Sequence, residues 1–98
     1  MRTWQSEFPD FTDMPAIPEN WDDISWHNDI CPSFADATGN FLLFVDYADV
    51  NKREFQGEKR FAVYHCDESG LCDEPQARFA SDDWNVMLVY LEMLDFRA

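Results

Sequence analysis

The sequence predicts an α+β domain in which about four antiparallel strands are packed on one face by a C-terminal helix, behind an irregular N-terminal arm. Three observations carry that expectation. Runs rich in β-branched and aromatic residues at 41–48 and 60–66 are bounded by turn chemistry. Apolar residues at helical spacing occupy 84–94, behind an acidic start. Three of the five prolines fall in the first 20 residues, and each biases the residue before it away from the helical region. A chain of 98 residues makes one domain, 1–98, with a modest core that buries roughly 60–65% of the surface exposed on unfolding.

The arm, 1–20, carries scattered apolar anchors at Trp4, Phe8, Phe11, Met14 and Ile17, which suits a segment laid against the domain rather than a long helix. WDDISWHNDICPSF at 21–34 reads as a short helical turn followed by an edge strand, since Pro32 is tolerated where no ladder partner is needed. Trp21, Trp26 and Phe34, flanked by charge, are either interface anchors or core, and a small domain favours core. FLLFVDYA at 41–48 follows Thr38-Gly39-Asn40, so it is expected to form a hairpin with the preceding segment. In 60–66 Phe61, Val63 and His65 share one strand face, and Ala62, Tyr64 and Cys66 the other.

Asp67-Glu68-Ser69-Gly70 then supplies a turn, and Leu71 to Phe79 is expected to return antiparallel as an edge strand containing Pro75. The terminal helix is placed at 81–97, its regular part from Asp82 to about Phe96. Ser81 is the expected cap and Asp82 and Asp83 sit at the positive end of the dipole. Its apolar stripe is Trp84, Met87, Leu88, Leu91 and Leu94.

Charge is the most informative global property. Twenty Asp and Glu oppose seven Lys and Arg, for a formal charge of -13 and a pI near 4.1. Residues 1–50 hold ten acids and one base, 51–60 two acids and four bases, and 61–98 eight acids and two bases. One basic stretch, Lys52 to Arg60, therefore interrupts an acidic molecule, and a solvated loop is its simplest reading. Such a field repels phosphates and anionic membranes and attracts cationic proteins, so the expected partner is a basic protein or nucleoprotein complex, with no direct nucleic-acid binding. The candidate partner-binding acids are Asp22, Asp23, Asp29, Asp36, Asp46, Asp49, Asp73 and Glu74. Carboxylates on strands and turns can imitate phosphates, because same-face strand residues lie roughly 6.6–7 Å apart.

No apolar run approaches the roughly 18 residues of a membrane span, and MRTWQSEFPDF lacks the basic start and apolar stretch of a secretory signal. A cytoplasmic location is expected, with Cys31, Cys66 and Cys72 as thiols by default. A Cys66–Cys72 bridge across the hairpin is sterically possible. One His and three Cys could also form a tetrahedral metal set from His27, Cys31, Cys66 and Cys72, but Cys66-x5-Cys72 is longer than the usual knuckle gap. There is no phosphate loop, nucleophile elbow or spaced metal-carboxylate motif. The expectation is a protein with no cofactor and no catalytic residue, with a homodimer open as an assembly.

DDISWHNDICPSF at 22–34 and FLLFVDYAD at 41–49 resemble small uncharacterised proteins of bacterial mobile elements. In size and charge the chain is similar to phage anti-CRISPR proteins and other DNA mimics that act against host defence. That resemblance implies an inhibitor occupying the nucleic-acid-binding groove of a bacterial defence complex. An immunity protein neutralising a basic toxin nuclease would show the same size, acidity and aromatic anchors, and a small zinc-binding or structural interaction domain is a third reading.

Overall fold

The computed structural model describes residues 3–67 and 77–97, with side chains through Leu94. Its elements in chain order are α1 (Trp4–Glu7), β1 (Asp22–Asp23), β2 (Ser33–Ala35), β3 (Phe41–Val45), a 3₁₀ turn (Val50–Lys52), β4 (Phe61–His65), β5 (Phe79–Ser81) and α2 (Trp84–Arg97). The strands form one antiparallel sheet in the order β1-β2-β3-β4-β5. The α+β class is therefore as the sequence predicts, with five strands in place of about four. Among the described residues no helix is long and apolar enough to cross a membrane.

Register explains which side of the sheet is covered. Asp23, Phe34, Leu43, Val63 and Phe79 lie opposite one another in turn across the five strands, and paired residues share a face. Val45 and Phe61 make the next such row. Against these pack Met87, Leu91 and Leu94 from α2 and Phe8 and Phe11 from the arm. Leu43, Val45, Val63 and Met87 are completely buried, each worth about 1.5–3 kcal/mol relative to exposure. Phe79 stacks on Tyr90 at 4.5 Å, and Phe61 meets Trp84 at 5.0 Å, which fixes the helix on the β4–β5 half of the sheet.

Three local expectations are corrected. The arm is not wholly irregular: Thr3 Oγ1 accepts from the Ser6 amide and Ser6 Oγ accepts from the Thr3 amide, a reciprocal box that closes the single turn of α1. Helix α2 begins at Trp84, because Ser81 is still paired in β5. Its cap is Asp83, whose Oδ1 accepts from the Asn85 and Val86 amides, while Ser81 Oγ accepts from the Asp83 amide. The third strand stops at Val45 and does not reach residue 48. Beyond it Arg53 draws the Tyr47 and Ala48 carbonyls onto its guanidinium and bends the chain away from the ladder. The return strand expected over Leu71 to Phe79 lies largely outside the described residues, Pro75 included, and β5 supplies its observed end at the sheet edge.

The helical stripe at Trp84, Met87, Leu88, Leu91 and Leu94 faces inward, from half-buried to fully buried. The opposite side of α2 is also apolar, with Val86, Val89 and Met93 all exposed.

Candidate partner-binding surface

The carboxylates leave the strand interiors empty. Strands β2 to β5 contain no Asp or Glu, so among the described residues the carboxylates expected on strands and turns sit on turns and strand ends. The reason is local chemistry: a short Asp side chain bonds nearby amides in turns and caps and competes with ladder pairing. Asp36 Oδ1 accepts from Thr38 Oγ1 and from the Phe41 amide, closing the turn in which Gly39 takes a positive φ of 76°. Asp49 caps the 3₁₀ turn through the Asn51 amide. Asp23 accepts from the Trp4 amide at 2.8 Å and the Ser25 amide at 3.0 Å, tying the arm to β1.

The eight acids singled out by sequence are thus not one patch. Asp22 opposes Ala35, one residue from Asp36, so these two share the sheet end made by the 36–40 turn. Cys66 donates its amide to the Asn40 carbonyl, which brings exposed Asp67 to the same end, and exposed Glu19 lies just before β1. Asp29, Asp46 and Asp49 belong to the other end, and Asp23 lies in the row that faces the core. Asp73 and Glu74 lie outside the described residues. Sequence reasoning missed Glu19 and Asp67, whose grouping with Asp22 depends on strand register. It also missed Asp10 and Asp13, which line a depression of about 30 Å3 with Asp49 and Lys52.

Lys52, Arg53, Lys59 and Arg60 stand at that second end, where the two arginines are engaged and the two lysines are exposed, while Arg78 lies at the first end. The Arg53 side chain is 7% exposed, donates to the Tyr47, Ala48 and Glu58 carbonyls, and lies 3.8 Å from Asp82. Arg60 donates to the Asp46 and Asp13 carbonyls and lies over the Phe61 ring. Lys59 pairs with Asp82 at 3.5 Å. The expectation of a solvated basic loop holds for exposed Lys52 and Lys59 and is corrected for the two arginines: planar guanidinium groups with several fixed donors are suited to bundling carbonyls, and here they pin the loop to the arm and the sheet.

Titration follows these contacts. Burial, opposed by the Tyr47 amide bond and by Arg53 and Arg60, raises Asp46 above the usual carboxylate value. The hydrogen bond from His27 Nδ1 at 2.9 Å lowers Glu7, and the Arg60 amide, followed by Lys59, lowers Asp82. Burial and the bond to Asp10 push the Tyr47 phenol up to about 12. Burial likewise raises the Cys31 thiol, with Asp46 and Asp29 adding to it.

The metal candidates are dispersed. Cys66 is disulfide-bonded, which corrects the default reading of this residue as a thiol. It directly follows β4. Cys31 is buried, His27 is held by Glu7, and Cys72 lies outside the described residues. Among the described residues no three His, Cys, Asp or Glu groups are placed to hold a metal ion.

An open cleft of about 440 Å3 lies between the arm and the β1–β2 edge, walled by Trp4, Met14, Ile17, Trp21 and Phe34, with Glu19 also lining it. Trp21 and Phe34 are core residues, as expected, and Trp26 is half-buried against His27. Trp21 Nε1 is a buried donor without an acceptor, a state that costs about 1–3 kcal/mol. Comparison with protein-family models, curated proteins and solved structures finds no match to this chain.

Proposed function

We propose that this protein is an acidic, stoichiometric binder that occupies the basic nucleic-acid-binding surface of a bacterial defence complex, acting by binding and not by catalysis. The observation that carries this reading is a group of carboxylates at one end of the sheet. Glu19, Asp22, Asp36 and Asp67 stand there, with Arg78 at the same end, while at the other end backbone carbonyls take up Arg53 and Arg60, and Lys59 pairs with Asp82 at the surface. A face of that kind steers a cationic groove toward itself and weakens as salt screens the field. Turn-borne carboxylates at a strand end imitate phosphates as points on a curved rim, without the regular spacing of a strand.

The test is affinity for a purified defence nucleoprotein complex with a Lys- and Arg-lined groove, measured with and without competing DNA. Asp22→Asn combined with Asp36→Asn retains an acceptor at each position and is expected to weaken binding by roughly fivefold or more. The pair Asp29→Asn and Glu54→Gln at the other end should leave it unchanged. Equal affinity for both variants, or binding that DNA does not displace, would remove the proposal. The exposed apolar row Val86, Val89 and Met93 favours a second reading, an immunity protein, because a single cognate toxin nuclease could bury it at the centre of an interface.

A further inference from the structure

The acidic face leaves the cleft beside the arm without a role, and three features of it point to one kind of ligand. Its walls mix the rings of Trp4, Trp21 and Phe34 with the polar side chains of Gln5, Thr12 and Glu19. Aromatic-lined grooves suit extended, proline-containing segments, whose backbone makes no internal hydrogen bonds and whose carbonyls are free to accept. The second feature is the donor that such a carbonyl would satisfy. Trp21 is 5% exposed and lines the cleft, and its Nε1 has no acceptor. Buried polar groups in native proteins are nearly always paired, so the exception marks a place where an acceptor is missing.

The third feature is charge. Glu19 is exposed at the cleft, and the whole molecule carries -13, so a segment bearing Lys or Arg is favoured over a neutral or acidic one. We infer that the cleft between the arm and the β1–β2 edge is a docking groove for an extended, basic, proline-containing peptide segment of a partner protein. One backbone carbonyl of that segment accepts from Trp21 Nε1, and its basic side chain pairs with Glu19. The wall that moves to admit it is the arm. Residues 12–17 belong to no helix or strand, and Thr12, Met14, Pro15 and Ile17 all line the cleft. In the docked state that stretch is displaced outward; no strand pairing is broken, and the Arg60 bond to the Asp13 carbonyl gives way.

This inference does not rest on the mimicry reading, and the two fail separately. The experiment is an NMR titration of the full-length, ¹⁵N-labelled protein with the blocked peptide Ala-Pro-Leu-Pro-Arg-Arg-amide, and with a control in which both arginines are glutamates. The expected result is a saturable downfield shift of the Trp21 indole N–H with the basic peptide only. Glu19→Gln should weaken binding about two- to fivefold. Trp21→Phe keeps a ring in the wall but removes the donor, and should weaken it about fivefold. If that variant is poorly folded, the indole shift in the parent and the Glu19→Gln measurement still decide the matter. Asp22→Asn with Asp36→Asn should bind the peptide within about twofold of the parent. A Trp21 indole resonance that stays fixed while other resonances saturate, equal binding of the glutamate peptide, or no saturable shift at millimolar peptide would each overturn the inference.

Discussion

Asp46 shows how little a residue's charge says about its task. The sequence places it among the surface acids, yet it is buried beside the Arg60-held loop and accepts from its neighbour's amide. Its folded value is raised, so its contribution to stability is complete below the unfolded value of about 3.9 and is lost as pH rises through the folded value. Asp46→Asn keeps an acceptor for the Tyr47 amide and removes the buried charge. Thermal melts should show a higher Tm than the parent at pH 7, with the difference closing below about pH 4. A variant less stable than the parent at pH 7 would mean that attraction to Arg53 and Arg60 outweighs desolvation. Such residues are illegible in a sequence because their burial is decided by the segment that folds over them, here one arranged by two arginines that themselves read as a solvated loop.

The elements were legible in proportion to their length. Strands β3 and β4, five residues each, repeat the apolar pattern often enough to be read, and so does the inward stripe of α2. The two-residue β1 and the single turn α1 are too short for any period; pairing with β2 defines the first, the Thr3–Ser6 box closes the second, and Asp23 ties the two together. The helix start was displaced because Ser81, Asp82 and Asp83 are all competent caps, and strand pairing decided among them. Asp83→Ala is therefore expected to cost about 1 kcal/mol in denaturant unfolding, and Ser81→Ala distinctly less. The reverse order would return the cap to Ser81. Asp82 has the different task of holding the start of β4 through the Arg60 amide.

For the whole molecule, fold class and net charge were available from composition and patterning, whereas the distribution of that charge in space required the register. The described residues give a radius of gyration of 12.7 Å and extents of 34 × 29 × 26 Å, comparable with the roughly 30 Å screening length at 0.01 M salt and well beyond the roughly 10 Å at 0.1 M. Carboxylates on opposite ends of the sheet therefore repel one another at low ionic strength and are largely uncoupled at high. The Tm should rise as sodium chloride is increased from about 0.02 to 0.5 M, while the affinity for a cationic partner falls over the same range. A Tm that declines with salt would show that the internal pairs of Arg53, Lys59 and Arg60 outweigh the mutual repulsion of the acids.

The order β1-β2-β3-β4-β5 also bears on how the chain reaches this state. Every strand pairs with its neighbours in sequence, so no strand waits for a distant partner and the entropy of closing long loops is small. During synthesis the meander can zip up one hairpin at a time as it leaves the ribosome. The β4–β5 half of the greasy side then stays uncovered until Met87, Leu91 and Leu94 emerge. The nascent protein is most prone to capture by chaperones or to self-association in the interval between β5 and α2, and a stalled chain ending near Asp83 would be held there.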